Sequence, residues 1–245
     1  MTGIRLRGVS KLYQLEPHTK TVLAEIDLDI KQGEFICLLG PSGCGKTTLL
    51  NIMSGLDKNY LGELEVGTPG QKVKMSYVFQ ESRLLPWLSV WDNLAFVLDK
   101  PHAPETRVKI AKWLARIGLK GYEAYFPGQL SIGMQQRVSV ARALILEPSY
   151  LFMDEPFSSL DELTASKMRH ELLELWQEQG CTVVFVTHNP LEAVFLADRV
   201  LIMSASPGRI VKAMNIANDL PRPRNPEDPK LWELSRLAVR QLSQS

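Results

Sequence analysis

Hydrophobic and polar positions along the chain follow two different periods. Up to about Leu39 they alternate with period two, as in Ile4-Arg5-Leu6-Arg7 and Leu28-Asp29-Ile30, which predicts strands. Lys31-Gln32-Gly33-Glu34 predicts a turn ahead of a strand at Phe35–Leu39. A helix is predicted from about residue 47 to 54, closed by Gly55, and a strand over 73–79 ends at Gln80. From about Trp91 to Leu146 the period becomes helical. Val108, Ala111, Leu114, Ala115 and Ile117 mark one apolar face there, and Met134, Val138, Ala141 and Ile145 another. Strand patterns return at 150–153, 182–186 and 200–203, with a helix predicted over 163–178. These last runs are apolar on both faces, as central strands of a parallel sheet are. Pro207-Gly208 marks a turn, Leu220-Pro221-Arg222-Pro223-Arg224-Asn225-Pro226 reads as an exposed proline-rich stretch, and a short amphipathic helix is predicted over 231–242. The expected fold class is α/β, a parallel-sheet core with an N-terminal antiparallel β region and a helical subdomain.

Composition narrows the function classes. Lys plus Arg is 28 against 27 for Asp plus Glu, so a net charge of +1 gives no global basic footprint for nucleic acid. Cys37, Cys44 and Cys181 are odd in number and not spaced for zinc, which reads as reduced thiols in a cytosolic protein. Met1-Thr2-Gly3-Ile4-Arg5 lacks the apolar stretch of a signal peptide, and no apolar run approaches the ~18 residues of a membrane span. Work at a membrane would therefore need a partner that crosses it.

The candidate chemistry starts at Gly40-Pro41-Ser42-Gly43-Cys44-Gly45-Lys46-Thr47-Thr48, which lies between a predicted strand and a predicted helix. That context turns a G-x-x-x-x-G-K-[ST] match into a phosphate cradle, because glycines let successive N–H groups point inward and the helix N-terminus adds positive potential. Lys46 is expected to reach the β- and γ-phosphates of a nucleoside triphosphate, and the Thr47 hydroxyl to ligate Mg²⁺. Asp154 and Glu155 end an apolar strand; beside a phosphate loop the first is placed to hold Mg²⁺ through water and the second to polarise attacking water. His188 also ends an apolar strand. Ligands of open α/β sheets bind outside strand carboxyl ends, so convergence of Gly40, Glu155 and His188 there favours a γ-phosphate contact for the histidine. Ser131 is a good N-cap for the helix that follows it.

The order of these segments (phosphate loop, Gln80, Ser131 to Arg137, Asp154-Glu155, Ser159-Leu160-Asp161, His188) resembles the ATP-binding cassette (ABC) family of transporter ATPases over nearly the whole chain. The resemblance implies a phosphate-loop, RecA-like core. It makes Tyr13 the aromatic that stacks on adenine, Gly40 to Thr48 the Walker A loop, and Gln80 the glutamine near Mg²⁺ and water. Ser131 and Gly133 then belong to the signature segment, Asp154 and Glu155 to Walker B, Asp161 to the D-loop, and His188 is the switch histidine. It also implies a head-to-tail homodimer in which each ATP lies between one subunit's Walker A loop and the other's signature helix.

The chain departs from that pattern at Ile132, where a glycine is usual. A β-branched residue takes positive φ only at a cost and adds bulk near the partner's nucleotide, so a functional but weakened closed state is expected. Asn189 stands where an aspartate commonly follows the histidine. Leu84-Leu85-Pro86-Trp87 with Asp92-Asn93, the run Glu192 to Asp198, Ser206-Pro207-Gly208-Arg209 and Leu220-Pro221-Arg222-Pro223 resemble the nitrate/sulfonate/taurine importer branch. Trp91 reads as core packing and Leu85-Pro86-Trp87 as an exposed anchor for another protein. The implied setting is the cytoplasmic face of the plasma membrane, beneath transmembrane permease subunits, with a solute-binding protein as an indirect partner. The implied domains are 1–215 for ATP binding (core 1–85 and 147–215, helical subdomain 86–146) and a 216–245 extension. The same engine in a lipid or export system, or in a soluble ABC-type ATPase, is the alternative. Only about fifty residues between Gln80 and Ser131, and a single set of motifs, weigh against the soluble kinds.

Overall fold

The structure is a computed structural model that describes residues 3–15, 18–68, 70 and 73–243. Met1 and Thr2, on which the reading of the N-terminus partly rests, lie outside the described residues. In chain order the elements are β1 (Ile4–Leu15), β2 (His18–Ile30), β3 (Phe35–Leu39), α1 (Lys46–Met53), β4 (Leu61–Val66) and β5 (Met75–Val78). The middle supplies α2 (Val90–Ala95), α3 (Pro104–Arg116), a 3-10 turn at Pro127–Gln129 and α4 (Ile132–Leu144). Then come β6 (Tyr150–Asp154), α5 (Glu162–Gln179), β7 (Thr182–Thr187) and α6 (Pro190–Leu196). The last four are β8 (Arg199–Met203), β9 (Ile210–Asn215), α7 (Ile216–Asp219) and α8 (Pro229–Ser243). They form two compact units, one from the described residues of Met1–Val73, Phe152–Asp154 and Cys181–Ser245, the other from Lys74–Leu151 and Glu155–Gly180.

The first unit holds two sheets. In one, β1 pairs antiparallel with β2 from Ile4↔Ile30 to Leu15↔His18 and on its other side with β4. Alternation places Ile4, Leu6, Val9, Ile26, Leu28 and Ile30 on the buried face. The other sheet runs β6-β7-β3-β8-β9, with β3 parallel to both β7 and β8 and β9 antiparallel at the edge. All of β3 and β7 is buried, which explains the unbroken apolar runs at Phe35–Leu39 and 183–186. The expected turn before β3 is present, closed by the Glu34 N–H donating to the Lys31 carbonyl at 3.1 Å. β4, β9 and α6 carry too short or too polar a pattern to stand out in the sequence.

The second unit is helical around β5. Along α4 and its C-cap, Val138, Ala141 and Ile145 are buried as the periodicity indicates, while Met134 is half-buried. On α3 the expected face is corrected: Ile110, Trp113, Leu114 and Ile117 are buried, while Val108, Ala111 and Ala115 face solvent. Alanines contribute little apolar area, so the large Trp113 and Ile110 decide which stripe turns inward.

A second correction concerns residues 220–226, which are not a simple exposed stretch. Leu220 and Arg224 are buried, and the Arg224 guanidinium serves the C-terminal end of α6. Its Nη1 donates to the carbonyls of Val194 (2.9 Å), Phe195 (2.9 Å) and Ala197 (2.8 Å), and its Nε to that of Leu220 (2.8 Å). Arg222 adds a pair with Asp198 and a bond to the Leu196 carbonyl. Burial lowers Arg222 to about 9 and Arg224 to about 10, yet both keep their charge at neutral pH. The last carbonyls of a helix have no partners of their own, and these cations supply them. Arg224→Ala is expected to lower unfolding free energy by about 2–4 kcal/mol, because buried carbonyls lose their donor. Arg224→Lys should recover only part, as one ammonium cannot span the same fork. Urea titration of the three chains measures both effects.

Candidate functional site

The phosphate loop is built by the first unit. β3 delivers the chain to Gly40, and α1 starts after Gly45, which takes the left-handed conformation at φ 97° as N-cap. Lys46 is 5% exposed. Its Nζ donates to the Gly40 carbonyl at 2.8 Å and the Pro41 carbonyl at 3.0 Å, so the ammonium is held across the loop by backbone oxygens. The Thr47 hydroxyl donates to Asp154 Oδ1 at 3.0 Å, joining the first turn of α1 to the end of β6. That pair supplies hard oxygen donors of the kind Mg²⁺ takes together with substrate phosphates and waters. Among the described residues no group of three or more His, Cys, Asp or Glu could hold a metal ion.

His188 follows β7, and the parallel register sets Leu39 beside Thr187. Gly40 and His188 are therefore the next residues of two neighbouring strands at their carboxyl ends, as the strand-end argument expects. Asn189, the departure after the histidine, caps α6: its Oδ1 accepts from the N–H groups of Leu191 (3.0 Å) and Glu192 (3.3 Å). Asparagine and aspartate are equally good N-caps, so the exchange costs the helix nothing. Tyr13 lies on β1 opposite Lys20, with its ring partly exposed and the Lys11 ammonium 4.9 Å from its centroid. Lys11 is itself buried and paired with Asp57 at 2.7 Å.

Cys44 lies inside the loop, and burial pushes its thiol up against a smaller opposing pull from Lys46. The loop is braced by a segment that motif reading does not mark as part of it. Gly208 donates its N–H to the Val22 carbonyl at 2.8 Å, and a Cβ there would stand 2.1 Å from the Cys44 carbonyl oxygen. In the sequence this segment reads as a Pro-Gly turn and a branch resemblance; the close backbone approach to the phosphate loop is visible in the structure alone.

The second unit carries the remaining predicted residues. Glu155 adopts φ 42°, a left-handed conformation that costs a non-glycine residue of order 1–3 kcal/mol. Its carbonyl accepts from the Ser158 N–H (3.2 Å) and hydroxyl (3.0 Å), and Gln80 Nε2 approaches that hydroxyl at 3.3 Å. Gln80 and Glu155 are thus tied through Ser158. Ser131 caps α4 by accepting from the Met134 N–H at 3.2 Å. Asp161 caps α5 by accepting from the Thr164 N–H at 3.0 Å, and that bond lowers its carboxyl pKa. Gly133 packs where a Cβ would meet Thr164 Cγ2 at 3.0 Å, so the starts of α4 and α5 lie against each other. Ile132 corrects an expectation: it is the first helical residue of α4 and is absent from the positive-φ residues, so it bears no backbone penalty. Its side chain is 60% exposed, so only the added bulk remains.

Trp87 is 70% exposed in the loop before α2, whereas Trp91 is half-buried. The loop is fixed by Asn93, noted in the sequence only for its branch resemblance, and by Arg142, which sequence reading missed. Buried Asn93 accepts from the Leu85 N–H at 2.9 Å and donates to the carbonyls of Leu85 (3.2 Å), Leu88 (3.1 Å) and Ser89 (3.0 Å). Arg142 donates to the carbonyls of Ser82 (3.2 Å) and Arg83 (2.9 Å). A buried asparagine among apolar helix positions was the available signal. An open groove of about 660 Å³ beside this loop is lined by Gln80, Arg83, Pro86, Ile132, Gln135 and Gln136 among others.

Gly208→Ala is expected to weaken nucleotide binding about tenfold. Overpacking of about 1–3 kcal/mol would fall on the phosphate loop, and 1.4 kcal/mol is a factor of ten. Titration with a fluorescent nucleotide reads the change.

Residues 23–158 match the profile of a family described as ABC transporter. An aliphatic sulfonates import ATP-binding protein, SsuB, of Bacillus cereus (strain ATCC 10987 / NRS 248) is 39% identical over 97% of this chain and 95% of its own length. A bicarbonate transport ATP-binding protein, CmpD, of Synechocystis sp. (strain ATCC 27184 / PCC 6803 / Kazusa) is 41% identical over 96% of this chain and 87% of its own. Among solved structures, a dimeric post-hydrolysis state of the ATP-binding cassette MJ0796 bound to ADP and Pi superposes with a TM-score of 0.76. It is 32% identical, covering 87% of this chain and 98% of that one.

Proposed function

The chain belongs to the ABC transporter family, and from this we propose that it is the ATP-hydrolysing subunit of an importer of a small solute of the sulfonate, taurine or nitrate class. The observation that carries the reading is the phosphate loop itself. Lys46 is held across it, Thr47 is bonded to Asp154, and His188 follows the neighbouring strand. Relatives named as an aliphatic sulfonates import ATP-binding protein and a bicarbonate transport ATP-binding protein, matched over almost the full chain, support the transport class.

In this proposal Tyr13 stacks on the base, and the loop N–H groups of Gly40 to Thr48 with Lys46 bind the phosphates. Lys46 exchanges its two carbonyl partners for phosphate oxygens. Mg²⁺, held by Thr47 and Asp154 with Gln80 nearby, would neutralise charge on the β- and γ-phosphates when bound. Glu155 polarises the attacking water, and His188 stabilises the γ-phosphate as it transfers. Ser131 and Gly133, with Asp161 beside them, close on the nucleotide of a second copy of the chain in a head-to-tail homodimer. The helix N-terminus capped by Ser131 supports that role, since it is an anion-binding end. Among the described residues no helix is long and apolar enough to cross a membrane. We assign the crossing to permease subunits docked at the groove beside Trp87, with the solute-binding protein beyond them. The chain would then be peripheral on the cytoplasmic face. Residues 1–215 would be the ATP-binding domain, with 86–146 its helical subdomain, and 216–245 an extension.

Glu155→Gln is expected to bind ATP with unchanged affinity while turnover falls by roughly 10²-fold or more, the range of a lost general base. Lys46→Ala should instead lose nucleotide binding. Phosphate-release and binding assays on the two variants separate these outcomes, and ordinary turnover by Glu155→Gln removes the assigned base. In the Glu155→Gln background, Ile132→Gly should strengthen ATP-driven dimerisation in sedimentation experiments. No change there would mean that the exposed isoleucine does not hinder closure.

A further inference from the structure

The turn that carries His188 contains a buried carboxylate that no part of the reading above uses. Glu192 is 7% exposed on the first turn of α6, and buried carboxylates are uncommon without strong partners. Its Oε2 lies 2.5 Å from the hydroxyl of Thr187, the residue before the histidine. That hydroxyl also accepts from the N–H of Asn189, the residue after the histidine, at 3.0 Å. An ionised carboxylate only accepts, so the hydroxyl donates its proton to Glu192 in a short charge-assisted bond. An ordinary capping box lets a glutamate at the third helical position reach the N-cap N–H directly. Here the hydroxyl of Thr187 relays that contact, and His188 is the one residue enclosed between the two relay points.

Asn189 closes the same turn from the other direction through its bonds to the N–H groups of Leu191 and Glu192. At the far end of α6, Arg222 and Arg224 hold the last carbonyls. The histidine backbone is thus fixed relative to a helix anchored at both ends. We infer that Thr187 and Glu192 are positioning residues for His188, setting the direction in which its ring leaves β7. The inference rests on the reading of His188 as the γ-phosphate contact.

The test is steady-state ATP hydrolysis by the full chain carrying Thr187→Val, Thr187→Ser, Glu192→Gln, His188→Ala, or His188→Ala with Thr187→Val, each checked for an unchanged melting transition. Misplacing a reacting group by an ångström costs up to about 10²-fold. Thr187→Val and Glu192→Gln should therefore lower kcat on the order of 10-fold or more, with KM for ATP changed less than about twofold. Thr187→Ser, which keeps the hydroxyl, should restore turnover even if the valine variant folds poorly. The double variant should be no slower than His188→Ala alone, because both changes remove the same contribution. Full turnover by Thr187→Val beside a slow His188→Ala overturns the positioning role and leaves the function standing. Full turnover by His188→Ala overturns the assignment of the histidine, and the positioning role falls with it.

Discussion

A buried ammonium is the constraint around which the phosphate loop is organised. Taking Lys46 out of water costs several kcal/mol unless oxygens replace the lost hydration. The loop meets that demand with the Gly40 and Pro41 carbonyls, at 2.8 and 3.0 Å. Those oxygens point inward only because the chain turns tightly after β3, and Gly208 lets a second backbone pass against Cys44 below it. Loop, lysine and brace therefore stand or fall together. In the proposed role of Lys46, a triphosphate would offer charged acceptors in place of these two neutral ones, which makes stronger bonds to the same cation.

The end of β7 is governed by a similar economy of polar groups. Between β7 and α6 the chain reverses within a few residues, and its exposed N–H groups are satisfied by Asn189 and Thr187 rather than by solvent. The distal carbonyls of α6 go to Arg224. A seven-residue helix is too short to be stable from its own bonds, so its caps decide where it sits.

Much of this was legible in the sequence where a motif coincides with an element boundary. The phosphate loop follows a fully apolar strand, Asp154 closes another, and Ser131 and Asp161 are caps whose side chains do what their residue types suggest. What escaped was of two kinds. Faces with small residues misled, as on α3, where alanines matched the period while Trp113 held the buried stripe. Long-range polar contacts left no local trace: Arg142 fixes a loop about sixty residues away, and Arg224 serves carbonyls about thirty residues away. The proline-rich stretch around it looked exposed because prolines and arginines usually are.

Glu155 sits at φ 42°, where glycine or asparagine would rest without strain. With Glu155 as the proposed base, stability and chemistry pull in opposite directions at that residue, since easing the backbone removes the carboxylate. A library of variants sorted for heat resistance alone would drift at position 155 toward the relaxed residues and accumulate well-folded, idle proteins.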